Sequence, residues 1–310
     1  MNKVEYRYSI VYLFAYATAI LYLHFVFQTS FTGFLSAFLG FGAGLSLLAW
    51  MLTRKLQYPF QRPAAGNENW ILAGLVLWIV FYISYGGNLI NKIFPGEWIS
   101  NDRIYAIIVF TRKLFVFVFV PYLVYRSLGF SGSDFGFGKG RVKLFSRQFA
   151  VIFFTVSAAV LLLQFYLGNG SKPVREGQFS RSQLSIGLPF CFIYLLFDAG
   201  LIEEFFFRGL LQSRLQVLLR SKAGGILISA IIFGLVHAPG LYLRGAGSEG
   251  IEEKLPFLFF AAYTVAYMSI AGIFLGIIYS RTKSIWLVMA IHAMVDLFPN
   301  LKEFVNTWHI

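Results

Sequence analysis

The sequence predicts an all-α fold, a polytopic transmembrane helical bundle of about eight to nine spans, on three observations. Hydrophobic residues make up 58% of the 310 and charged residues only 13%, against about 25% charged in a typical soluble domain. Mean hydropathy is +0.69. The apolar residues are gathered into long continuous runs of the length that crosses a hydrocarbon core, roughly 20 residues. The first two observations exclude an ordinary cytosolic enzyme and a disordered chain, since disorder needs low hydrophobicity. The third excludes a transmembrane barrel, whose segments are short and alternating.

In chain order the runs are 8–28, 31–52, 69–90, 104–125, 148–168, 185–207, 224–242, 257–280 and 284–299. The first follows Lys3 and Arg7 and is too long for a signal-peptide core of about 7–15 residues, so it reads as an uncleaved span. In the second, Ser36, Gly40 and Gly44 recur every four positions and predict a flat face for close helix contact. The fourth contains Arg112 and Lys113, which snorkel, line a cavity or mark a boundary, and the ninth is short. Eight spans with a re-entrant or interfacial piece is therefore the alternative count. Residues 1–125 form N-terminal helices, 126–147 a Gly-rich interfacial loop, and 148–310 the C-terminal helices, all one integrated membrane domain. No internal repeat is visible.

The net charge of +12 lies mainly in short loops, which argues for a bilayer partner and against nucleic acid. With the N-terminus cytoplasmic, the inside segments carry sixteen Lys and Arg and the outside segments eight. That bias predicts the N-in orientation. The lone cysteine, Cys191, reads as a small buried apolar residue.

Ionisable groups inside a span cost about 2.5–3.5 kcal/mol each on insertion scales and are functional candidates by default. Three groups stand out in the C-terminal half. Glu203 and Glu204 are adjacent near the end of the sixth run, and Arg208 lies four residues after Glu204. That spacing makes Glu204 and Arg208 helix neighbours, so Arg208 need not neutralise Glu203, which suits a general base. Phe233 and His237 share a helix face, and so do His292 and Asp296. Asp296 is placed to accept a hydrogen bond from His292 and fix its tautomer. Left isolated, four such groups would cost on the order of 10 kcal/mol, and convergence on a wet cavity lowers that cost. Asp198, on a different α-helical face from Glu203, is a supporting candidate; His24 and His309 receive no role.

Glu-Glu-x-x-x-Arg, then Phe-x-x-x-His, then His-x-x-x-Asp, on three apolar segments in that order across 203–296, resembles the CPBP intramembrane proteases. These are the type II CAAX prenyl endopeptidases and their bacteriocin-processing and self-immunity relatives. The resemblance covers about residues 100–300. It implies a bundle of about eight spans with a catalytic cavity inside a membrane, here a bacterial cytoplasmic membrane. It also implies an endopeptidase acting on a membrane-associated or lipidated peptide or protein. Carried over, Glu203 activates water with help from His237, Glu204, Arg208 and Phe233 support the site, and His292 and Asp296 hold the developing oxyanion. Asp296 departs from the family's Asn, whose amide can donate to an oxyanion where a carboxylate cannot. Asp296 must then be protonated, orient His292 or bind a metal.

Two chemistries fit. In one, no cofactor is required: Glu203 is the base and the histidines donate hydrogen bonds. In the other, His237, His292 and Glu203 bind Zn²⁺ and leave a water position open. The chain lacks the His-Glu-x-x-His helix that marks zinc proteases, which favours the metal-free version. A non-catalytic scaffold or self-immunity protein is the rival reading. A proton-coupled transporter is weaker still, because inverted repeats and paired broken helices are missing from the sequence.

Overall fold

The computed structural model describes residues 3–56, 68–138, 140, 142–244 and 255–310, and no strand occurs among them. Arg62, Lys139, Arg141 and Lys254, which enter the orientation argument, lie outside the described residues. Among those described, nine helices are long and apolar enough to cross a membrane: α1 (Glu5–Phe27), α2 (Phe31–Thr53), α3 (Glu68–Gly86), α4 (Asp102–Ser127), α5 (Arg147–Leu167), α6 (Arg181–Leu218), α7 (Lys222–Leu243), α8 (Phe257–Thr282) and α9 (Ile285–Trp308). The protein is an all-α, polytopic integral membrane bundle, as its hydropathy predicts.

Two helices differ in length from their sequence reading. α6 begins earlier, at a capping box in which Ser180 Oγ accepts from the Gln183 amide at 3.1 Å and Gln183 Oε1 accepts from the Ser180 amide at 2.9 Å. It then runs 38 residues, about 57 Å at 1.5 Å per residue, far beyond a core of about 30 Å. Glu203 is thus not near a helix end. It lies fifteen residues before Leu218, roughly 22 Å along the axis. Arg208 and Arg214, counted as loop charges in the orientation argument, are buried inside this helix. α9 does not stop at Pro299 but continues to Trp308.

Several helices contain π-helical turns, over Ala37–Gly44 in α2, Leu114–Phe119 in α4, and Leu196–Leu201 and Phe205–Gln212 in α6. Such turns close i→i+5 hydrogen bonds, so α-helical register does not carry through them. That corrects the expected contact face of α2. Ser36 and Gly44 are exposed, while Gly42 is buried, and a Cβ there would meet Ile270 at 3.1 Å.

The helices group into two compact units. The first holds α1, α3, α7, most of α2, α6 from Leu210 and α8 to Ser280. Its apolar centre includes Leu23, Phe34, Leu241, Phe260 and Ala266, with Tyr12, Tyr16, Ala230 and Ile270 in a second cluster. Several buried polar groups here are paired. Gln212 Nε2 donates to the Gly276 carbonyl at 3.0 Å, Gln216 Nε2 to Ser280 Oγ at 3.1 Å, and Arg214 meets Glu68 at 3.2 Å.

The second unit holds α4, α5, α6 to Gly209 and α9. α6 and α9 run antiparallel: Gly187 faces Leu301 and Val305, whereas Gly200 faces Met289. Cys191 is fully buried among Leu195, Ala293, Leu297 and Leu301, as its apolar reading expects. Part of the Gly-rich loop docks here. Ser131 and Asp134 cap a short 3-10 turn over Gly132–Phe135, and the Gly136 carbonyl accepts from the Ile285 amide at 3.3 Å. Phe135 and Phe137 then stand 5.3 and 6.2 Å from the ring of Phe205, which neighbours Glu204.

Candidate functional site

The second unit brings five of the seven site candidates together. Arg208 Nη1 lies 2.8 Å from Glu204 Oε1, the i,i+4 pair the spacing predicts, with side-chain exposures of 1% and 0%. The same Glu204 oxygen is 2.6 Å from His292 Nδ1. Glu204, ion-paired with Arg208, is a carboxylate and can only accept, so Nδ1 carries the proton of this contact. Glu204, and not Asp296, therefore fixes the ring of His292. Asp296 Oδ2 is 3.4 Å from Nε2, too long for a well-formed hydrogen bond. Glu203 Oε2 is 3.9 Å from the same Nε2.

Exposure divides these groups. Glu204, Arg208 and His292 are sealed, while the side chains of Glu203 and Asp296 retain 22% and 28%. The adjacent glutamates thus differ in kind. One is clamped between Arg208 and an imidazole; the other keeps 22% side-chain exposure, with Oε2 itself buried 3.9 Å from the second nitrogen of that imidazole. The close approach of α6 to α9 at Gly200 supports this arrangement. A Cβ on Gly200 would lie 2.7 Å from the Met289 carbonyl oxygen. Gly200→Ala is expected to part the helices one turn from Glu204 and to cost about 1–3 kcal/mol, the usual effect of overpacking. A thermal midpoint equal to wild type in detergent would contradict that.

Phe233 and His237 belong to the first unit. Pro239 has no N–H and its ring crowds the carbonyl four residues earlier. The helical run accordingly ends at Leu235 and resumes at Ala238. The Phe233 carbonyl, left without its usual helical donor, is taken by His237 Nδ1 at 2.6 Å. A carbonyl only accepts, so Nδ1 is protonated and the neutral ring carries its lone pair on Nε2. The rings of Phe233 and His237 also meet edge to face at 4.9 Å. Both sit on one face, as their spacing predicts.

Sequence reasoning singles out Lys113 and Asp198 but misses that they meet. Lys113 Nζ pairs with Asp198 Oδ2 at 2.8 Å within the second unit, so Lys113 is not merely a boundary residue. The two are 85 positions apart, and nothing local links them. His24 bonds the Thr29 carbonyl through Nδ1 at 2.8 Å, a local cap for the end of α1. His309 ends α9 in the left-handed region, at φ 54°.

Among the described residues, no group of three His, Cys, Asp or Glu side chains stands as a metal-holding set. Of the expected zinc ligands, His292 gives Nδ1 to Glu204, which leaves Nε2 as the ring nitrogen that could meet a metal.

The family model for type II CAAX prenyl endopeptidase, Rce1-like, matches residues 185–298. Over that stretch, a little more than a third of the chain, the protein is similar to this family. The matched stretch holds all seven site candidates, Glu203, Glu204, Arg208, Phe233, His237, His292 and Asp296. It is narrower than the 100–300 of the sequence resemblance and leaves α1–α5 outside. Comparison with curated proteins found no match, and comparison with solved structures found none. Within the Rce1-like region, the Glu-Glu-x-x-x-Arg motif and the His-x-x-x-Asp motif meet through Glu204 and His292.

Proposed function

We propose that this protein is an intramembrane endopeptidase that hydrolyses a peptide bond in a membrane-associated or lipidated protein or peptide. The observation that carries the reading is the unequal treatment of the two glutamates. A buried carboxylate with an arginine at 2.8 Å and an imidazole at 2.6 Å is a fixed anchor. A neighbouring carboxylate left partly open is a base.

In the proposed reaction Glu203 takes a proton from water while the water oxygen attacks the peptide carbonyl carbon. The family resemblance assigns His237, in the first unit, the part of helping that deprotonation. The tetrahedral oxyanion is held by an Nε2–H of His292, a ring that carries protons on both nitrogens at this step and donates the other to Glu204. Collapse breaks the C–N bond, and the Glu203 carboxylic acid returns its proton to the departing amine. Donors aimed at an oxyanion in a dry site are worth about 10²–10³ in rate each. The chain lies in a membrane that we take to be a bacterial cytoplasmic one, N-terminus inside.

The test compares membrane and secreted peptides from cells carrying wild type or Glu203→Ala at matched abundance. A peptide end made only by wild type is expected, and it names the substrate. Identical peptide sets, with the host phenotype retained by the mutant, would establish the scaffold or self-immunity reading instead. Cleavage is expected to survive chelation; loss restored by zinc alone would overturn the metal-free steps.

A further inference from the structure

We propose that Gln164, on α5, is a positioning residue that holds Asp296 and the adjoining turn of α9 in place. The inference rests on the endopeptidase reading for its catalytic half.

Pro299 lies inside α9 and supplies no N–H to the carbonyl four residues before it, that of Val295. A helix normally kinks or ends at such a point, yet α9 continues for nine further residues to Trp308. The missing donor comes from another helix: Gln164 Nε2 donates to the Val295 carbonyl. Gln164 is itself 8% exposed. Its own backbone carbonyl accepts from the Gly168 amide at 2.9 Å and from Ser171 Oγ at 2.7 Å. The loop that follows α5 also reaches Pro299, since a Cβ on Gly170 would lie 2.8 Å from its Cγ. On the far side, Asn300 Nδ2 donates to the Asp296 carbonyl at 2.8 Å.

Val295 is the residue before Asp296, whose carboxylate stands 3.4 Å from His292 Nε2. One of the main-chain bonds that tie this turn to the rest of α9 is thus replaced by a side chain of α5. An apolar residue of similar size at 164 would fill the same space and leave the Val295 carbonyl without its donor. The turn bearing Asp296 and His292 would then shift against Glu204.

The experiment is a four-member cycle on the full chain in lipid nanodiscs: wild type, Gln164→Leu, Pro299→Ala, and both together. In Gln164→Leu, kcat per folded molecule is expected to fall about tenfold or more, since a displacement near 1 Å can cost about 10²-fold. KM should stay within about twofold, the mark of a contact that acts on the reacting groups and not on binding. Pro299→Ala restores an amide that donates to Val295 within the helix, so the double variant is expected to recover most of the lost kcat. Its thermal midpoint should recover as well. A Gln164→Leu variant with a lowered midpoint but unchanged kcat per folded molecule would overturn the positioning role. So would failure of Pro299→Ala to rescue either quantity. If wild type cleaves nothing, the endopeptidase reading fails on that result alone. The thermal cycle then still decides whether Gln164 holds Val295, because it does not depend on turnover.

Discussion

Arg208→Met is expected to cost about 3–5 kcal/mol, the usual effect of removing one partner from a buried ion pair, and so to strip most of the folded protein from the membrane. Arg208 and Glu204 are 1% and 0% exposed and 2.8 Å apart. Methionine fits the apolar volume of the arginine stem, so the loss comes from the carboxylate left behind. His292 Nδ1 still reaches that carboxylate, at 2.6 Å, but one imidazole cannot replace a guanidinium as counter-charge. Adding Glu204→Gln removes the stranded charge while its amide oxygen still accepts from His292. The double variant should therefore recover most of the folded yield, measured as the monodisperse peak and its thermal midpoint. A single Arg208→Met variant as stable as wild type would show that Glu204 is neutral or otherwise compensated, and the anchor argument would go with it. Recovery of folding in the double variant also separates the two glutamates, because Glu203 is untouched throughout.

The parts of this architecture that were legible in the sequence are those carried by short-range spacing. Hydropathy runs mark the nine helices because each must hide its own backbone from lipid. The pair Glu204–Arg208 and the shared face of Phe233 and His237 follow from neighbours four apart on a helix. The helix ends were less legible. Ser180 and Gln183 form a readable capping signature, but the sixth run starts at 185 by hydropathy alone, since polar first turns do not register as apolar. Its far end was missed for the opposite reason: Arg208 and Arg214 look like loop charges until their partners Glu204 and Glu68 are in view. π-helical turns leave no clear mark in a single sequence, and the contact face of α2 differs from the one its spacing predicts on that account. Lys113–Asp198 and Gln164–Val295 join residues 85 and 131 positions apart. Such contacts depend on tertiary placement, which no local pattern encodes. Even so, an acid and a base both stranded in apolar runs is a hint that each needs the other.

His292→Gln is expected to lower hydrolysis by about 10²–10³, the loss typical of one oxyanion donor, whereas Asp296→Asn should stay within about tenfold of wild type by the same comparison. The contrast follows from the distances. Glutamine at 292 can keep a donor toward Glu204, and so preserve the fold, but it cannot aim a second one from the far side of a rigid ring. Asp296 is 3.4 Å from Nε2 and 28% exposed, so it orients the ring weakly at best, while Glu204 at 2.6 Å does so directly. An asparagine amide in that position can donate to the oxyanion, and the lost negative charge no longer opposes one forming there. Single-turnover cleavage of the identified substrate, normalised to folded protein, measures both. If Asp296→Asn loses as much as His292→Gln, the charge of Asp296 is required. The orienting role would then pass from Glu204 to Asp296, or Asp296 would serve as a metal ligand. If His292→Gln retains near wild-type rates, the oxyanion is stabilised elsewhere, and the sealed Glu204–His292 contact serves the packing of α6 against α9 alone.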